Sequence, residues 1–156
     1  MGQRYVIAYG SRFFQIWGIC KKIDYGGSFV TRLKSSARAD IVAVGLDIPE
    51  KMRRKIIGQD IHKAIELIKP YKLDIDAIVT VRHFPTDKKN NKSPLKLRFI
   101  AVFNEETMEY HTYFTNIPEQ DLAGRDVAAL YAARWDIENL FREAKSENLL
   151  GRLKSK

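Results

Sequence analysis

Cysteine and long apolar runs are scarce in this sequence, and both shortages exclude classes of protein. Cys20 is the single cysteine in 156 residues, so no disulfide can form within the chain, which fits a reducing compartment. No stretch reaches the ~18 consecutive apolar residues of a membrane span. The first residues also lack the apolar core and cleavage site of a signal peptide. The sequence therefore predicts a cytoplasmic protein that has no membrane partner.

Negative charge is also in short supply. The chain has 27 Lys and Arg residues against 19 Asp and Glu, a formal net charge of +8. This surplus favours a polyanionic partner, either nucleic acid or an anionic membrane surface, and charge alone does not choose between them. The three histidines do not have the spacing of metal ligands, so the sequence does not suggest a zinc site. A hydrophobic content of 45% is sufficient for the core of one domain.

The start of the chain predicts a strand, a helix and a second strand. Residues 4–9 form a β-branched and aromatic run, and residues 28–34 alternate in the manner of a strand. Between them, residues 13–24 carry apolar side chains at helical spacing, and Gly26 and Gly27 end that helix. Because the connections are short, the two strands are expected to be parallel, with a right-handed helical crossover.

The middle of the chain predicts antiparallel strands. The expected elements are a strand at residues 41–46, a helix at 51–68 and strands at 75–82, 95–101 and 110–115. Gly58 weakens the prediction of one uninterrupted helix. Asp76 and Arg98 fall on the polar side of two strands whose alternation is typical of half-exposed sheets. These strands are expected to form a small separate sheet.

A long helix is predicted at residues 124–150, after a break at Pro118. At about 100° per residue, four polar side chains of this helix fall within an arc of roughly 60°. They are Tyr131, Arg134, Glu138 and Lys145. Apolar residues on the neighbouring arc are expected to face the core: Leu130, Ala133, Ile137, Leu140, Phe141 and Ala144.

This polar arc has two interpretations. A carboxylate among cations can bind a metal ion while the cations and the phenol contact a phosphate backbone. The alternative is an ordinary surface ion pair of Glu138 with Arg134 or Arg142, four residues away on either side.

The spacing of the four residues resembles a known signature, Y-x2-R-x3-E-x6-K. It marks the YREK group of DDE-class insertion-sequence transposases, and residues 26–34, 113–118 and 141–145 resemble the same family. The resemblance implies an α/β fold: a partial ribonuclease H-like core of strand-helix-strand plus a long C-terminal helix, with a β-rich insertion. The expected parts are a partial core at residues 1–36, the insertion at 37–117, and the returning helix at 118–156.

The resemblance also implies a site and its partners. In the family, two Asp and one Glu hold two divalent ions, Mg²⁺ or Mn²⁺, which activate water and later a DNA 3′-hydroxyl. Glu138 would be the third carboxylate and a metal ligand. Tyr131, Arg134 and Lys145 would contact phosphates at the transposon ends. The implied partners are DNA, with nucleoid association when bound, and a second copy in the family's synaptic complex.

The match fails at the other two carboxylates. Gly10 stands where the family has its second aspartate, and the first aspartate lies upstream of Met1 in the family's order. One carboxylate holds a divalent ion weakly. The chain is therefore expected to be a truncated, degenerate C-terminal part of a transposase catalytic domain, inactive in cutting. The alternatives are a non-catalytic remnant that binds transposon DNA and an inert open-reading-frame product.

Overall fold

A computed structural model describes residues 5–7, 27–81 and 95–154, with side chains at all of these positions except 5–7, 135–138, 141 and 147–154. Its strands are β1 (Tyr5–Ile7), β2 (Ser28–Arg32), β3 (Ala39–Val44), β4 (Ile75–Val81), β5 (Lys96–Asn104) and β6 (Glu109–Thr115). Its helices are α1 (Glu50–Ile56), α2 (Ile61–Ile68), a short 3-10 turn (Lys69–Tyr71) and α3 (Gly124–Lys154). The predicted mixed α/β class is confirmed.

The six strands lie in one sheet, in the order β1-β2-β6-β5-β4-β3. Strands β1 and β2 are parallel, with Tyr5 opposite Ser28, which confirms the first predicted pairing. All other neighbours in the sheet are antiparallel. The helix predicted at residues 13–24 lies outside the described residues.

Strand β6 joins the two halves of this sheet. It pairs with β5 on one side and with β2 on the other, where Val30 lies opposite Thr115. The expectation of a small separate sheet is therefore wrong. Both edges of β6 carry backbone donors and acceptors, and pairing with β2 satisfies groups that an isolated sheet would leave at an open edge. The division at residues 36 and 117 stays a prediction.

The single helix predicted at residues 51–68 is in fact two helices. Gly58 has a φ of 85°, in the left-handed region that favours glycine, and its N–H donates to the Ile41 carbonyl of β3 at 2.8 Å. The backbone here pairs with a strand edge and cannot continue the helix. The next helix then starts afresh, since the Asp60 carboxylate accepts from the His62 backbone N–H at 3.0 Å.

The sheet carries an apolar core on each face, and β5 contributes to both. Leu97, Phe99 and Ala101 point to the first core, under α1 and α2, while Ile100 points to the second, under α3. The second core consists of Val30, Ile100, Tyr113, Ile117, Val127 and Tyr131. Because both faces are covered at this point, alternate residues of β5 are buried on either side.

Helix α3 contacts the sheet near its beginning. Val127 and Tyr131 are its buried side chains within the described part of the helix. The predicted core-facing arc is correct at Leu130, which packs against the second core, and wrong at Ala133, Leu140 and Ala144, which are exposed, with Leu140 at 67%. The helix has 31 residues, hence a length of about 46 Å, and it extends beyond the sheet that it covers. No described helix has a stretch long and apolar enough to cross a membrane.

Candidate nucleic-acid interface

The segment between β6 and α3 is fixed to the sheet by polar side chains. The Thr115 hydroxyl donates to the Phe29 carbonyl at 2.6 Å and accepts from the Ile117 N–H at 3.1 Å. The Asn116 side chain accepts from the Phe29 N–H at 2.9 Å and donates to the Gly27 carbonyl at 2.8 Å. The amide of Asn116 thus extends the β-ladder of β2 beyond the end of β6. Thr115 and Asn116 belong to residues 113–118, which resemble the family, and in this fold they have a structural role.

A buried ion pair lies beneath the start of α3. Arg98 of β5 is 5% exposed, and its guanidinium binds both carboxylate oxygens of Asp76, at 2.7 and 2.5 Å. The same guanidinium donates to the carbonyls of Ile117, at 3.1 Å, and Leu122, at 2.7 Å. Four bonds from one side chain therefore tie β4, β5 and the segment that leads into the helix. The alternation of these strands placed Arg98 on the half-exposed side, and that prediction is wrong because α3 covers this face.

Tyr131 and Arg134, two of the predicted site residues, lie together. The Tyr131 ring is 7% exposed and packs against Tyr113 of β6, with ring centroids 5.4 Å apart. Arg134 lies over the Tyr131 ring at 5.5 Å and donates to its hydroxyl at 3.2 Å. Tyr131 thus belongs to the second core rather than to its edge, and Arg134 is half-buried against it. This contact fixes the direction of the arginine.

The other two predicted residues are further along the helix. Lys145 is exposed, and it lies about 21 Å beyond Tyr131 at 1.5 Å per residue. Glu138 is in α3, one turn after Arg134, but its side chain is outside the described part of the structure. Gly10 is also outside the described residues, so its assignment, together with Glu138, to one family metal site stays a prediction.

Arg32 of β2 adds a cation to the face of the sheet that carries Arg134. Arg32 is exposed and lies opposite Tyr113 in the sheet register. Burial raises the pKa of Tyr113 above its usual value, and the Arg32 charge opposes part of that rise. Burial and Arg32 both lower the pKa of His111, while Glu109 opposes them. His111 is therefore neutral at pH 7.

The described residues do not supply a metal site. Nowhere in residues 27–81 or 95–154, so far as side chains are described, do three or more His, Cys, Asp or Glu side chains converge as ligands. Asp76 is already bound by Arg98, and Asp74 by Arg125 at 2.9 Å. These carboxylates are held by cations and do not fit a divalent ion.

Sequence reasoning missed the Arg98–Asp76 pair and the Asn116 anchor. The signal for Arg98 was present: it is a lone cation within the run Leu97-Arg-Phe-Ile-Ala-Val-Phe103, where a charge needs a partner. Which carboxylate meets it depends on the pairing of β4 with β5, which places Arg98 opposite Ile78, beside Asp76. Asn116 gave no signal, since its partners are nearly ninety residues away in sequence.

The fold and this site define a mixed α/β domain that carries, on one face of its sheet, a long helix with exposed cations such as Arg142 and Lys145. The transposase DDE domain family has a model that matches residues 18–156. The chain therefore belongs to the transposase DDE domain family, whose members generally bind DNA and use divalent metal ions. Searches of curated proteins and of solved structures found no match.

Proposed function

We propose that this chain is part of a DNA-transposase catalytic domain of the YREK group, with a ribonuclease H-like core. In this proposal the outer part of α3 binds the phosphate backbone of transposon DNA. Arg134 and Lys145 contact phosphates, and Glu138 is the family's glutamate. DNA cutting and strand transfer are activities of the family. What the arrangement of α3 supports for this chain is DNA binding.

The exposure of α3 carries the proposal. From Asn139 to Ser146, every side chain whose burial is described is exposed, and Lys145 is among them. The stretch from Arg134 to Lys145 is about 17 Å long, which matches roughly five nucleotides of one DNA strand at 3.4 Å each. A helix that leaves the surface of its own sheet with cations exposed is suited to contact a neighbouring polyanion.

Tyr131 acts in this proposal through Arg134. Its ring is in the second core, and its hydroxyl accepts a bond from the Arg134 guanidinium at 3.2 Å. A guanidinium stacked on an aromatic ring loses little further freedom when it binds a phosphate. Tyr131 therefore orients Arg134, and direct contact of the phenol with DNA is secondary.

Binding without cutting is the form of this function that the sequence favours. Gly10 offers no carboxylate at the position where the resemblance places the family's second aspartate, and two of the described carboxylates, Asp76 and Asp74, are bound by Arg98 and Arg125. A site that lacks one of its carboxylates binds a divalent ion more weakly, since hard cations need several oxygen ligands. In this form of the proposal the chain binds transposon DNA without cutting it.

A salt titration of DNA binding tests the proposal. The variant Arg134→Gln with Lys145→Gln is compared with Lys51→Gln with Lys55→Gln, which removes two exposed cations from α1 on the opposite face. Both lose the same charge. Fluorescence anisotropy of a labelled duplex at roughly 50 to 200 mM salt gives the slope of log K against log salt, which changes by about 0.9 per lost phosphate contact. The α3 variant should lose about two contacts, and the α1 variant none. Equal losses in the two variants would contradict an interface on α3.

A further inference from the structure

The ion pair under α3 has features that stability alone does not explain. Arg98 is a charged side chain that is 95% removed from water, and Asp76 has 21% of its side chain exposed. Burying such a pair carries a large desolvation cost, and apolar residues of similar size often serve a core equally well. What apolar residues cannot do is bind two carbonyl oxygens of a neighbouring segment.

Those two carbonyls are the ends of the segment that leads into α3. Ile117 is in the second core, and Leu122 lies two residues before the helix begins at Gly124. Between them the chain turns, since the N–H groups of Asp121 and Leu122 both donate to the Pro118 carbonyl at 3.1 Å. Arg98 therefore holds both ends of this turn against β5.

The helix also begins directly against the carboxylate of the pair. A Cβ atom placed on Gly124 would lie 3.3 Å from Asp76 Oδ2, closer than ordinary van der Waals contact. The first helical turn closes just beyond, where the Val127 N–H donates to the Ala123 carbonyl at 3.0 Å. A carboxylate at a helix N-terminus is favourable because the unpaired N–H groups there carry partial positive charge.

We propose that Arg98 and Asp76 are positioning residues that set the tilt of α3, and thereby the place of its DNA-binding cations relative to the sheet. This inference rests on the proposed function. The helix contacts the sheet at two places: its start lies against the Arg98–Asp76 pair, and Tyr131 packs against Tyr113 one to two turns later. The position of its start therefore sets the angle of the helix about Tyr131. A tilt of about 10° about Tyr131 moves residue 146 by about 4 Å, given 1.5 Å per residue.

The test measures helix position and DNA binding in the same variants. Spin labels at Lys55→Cys and Ser146→Cys, in a Cys20→Ser background, report the distance from α1 to α3 by double electron–electron resonance. Arg98→Lys keeps the positive charge beside Asp76 but lacks the planar guanidinium that reaches the carbonyls of Ile117 and Leu122. Arg98→Met with Asp76→Leu removes both charges and is expected to melt within about 4 °C of the parent. Arg125→Lys is the matched control, because Arg125 is exposed in the first turn of α3 and forms an ion pair with Asp74.

We expect both Arg98 variants to shift or broaden the label distance by about 2 to 4 Å, and the salt slope to fall by about 0.9 or more. Arg125→Lys should change neither. All distances are measured well below the melting temperature of each variant, so that they report the folded molecule. Should Arg98→Met with Asp76→Leu fail to fold, Arg98→Lys alone provides the test. A parent-like distance in a folded Arg98 variant overturns the proposal. A shifted distance with parent-like DNA binding supports positioning of the helix and instead contradicts the DNA-binding surface on α3.

Discussion

Replacing Tyr131 by alanine should destabilise the fold, although the sequence signature places this residue among DNA contacts. The ring is 7% exposed and packs against Tyr113, and its removal leaves a cavity in the second core. Truncating a buried aromatic ring costs about 3 to 5 kcal/mol, and we expect about 3 because the core is small here. For a chain of 156 residues this lowers the melting temperature by about 9 °C, at ~3 °C per kcal/mol.

Tyr131→Phe separates the ring from the hydroxyl. It removes only the 3.2 Å bond from Arg134, and should cost about 0.5 to 1 kcal/mol. Leu140→Ala, on the exposed side of the same helix, should change stability by less than about 0.5 kcal/mol. Urea unfolding followed by far-ultraviolet circular dichroism, with equal m-values as a check, gives all three numbers. If Tyr131→Ala costs less than about 1 kcal/mol, the ring is not part of the core and the reasoning is refuted.

Three other changes have defined outcomes. Gly58→Ala should lower the free energy of unfolding by about 1 kcal/mol. The cause is backbone strain at a φ of 85° alone, because an added Cβ would meet no neighbour within 4 Å. An unchanged midpoint in a urea titration would contradict this. The folded-state pKa of His111 lies below 6.5, so the unfolded chain binds more protons and stability falls as pH drops below about 6.5. His111→Gln should flatten that fall below about pH 6.5 in urea titrations at several pH values, and a pH profile identical to that of the parent would contradict this. Gly10→Asp should raise Mn²⁺ affinity in a calorimetric titration, and Glu138→Ala should reverse the gain, without nicking of supercoiled plasmid. Nicking by the parent that Glu138→Ala abolishes would show that another ligand completes the site.

Local sequence patterns predicted the elements well and their partners less well. The parallel pair β1 and β2 and the alternation of β4 were readable because each depends on residues close in sequence. The pairing of β2 with β6 depends on Val30 meeting Thr115 across 85 residues, and no local pattern encodes it. A separate sheet was the natural expectation without that contact.

The candidate site shows the same division. Helical periodicity correctly predicted that Tyr131 and Arg134 share one side of α3, since spacing fixes their relative angle. Periodicity does not say what lies opposite that side. The sheet meets the helix at Val127 and Tyr131, which buries a phenol expected at the edge and leaves Leu140 in solvent.

Site-specific photo-crosslinking to DNA tests most directly whether α3 is the DNA-binding surface. Benzoylphenylalanine replaces Arg142 on α3 or Lys55 on α1, so each variant loses one exposed cation and differs only in the face that carries the probe. On irradiation with a labelled duplex at low salt, the probe at Arg142 should crosslink, and that at Lys55 should not. Crosslinking from Lys55 with none from Arg142 would contradict the account.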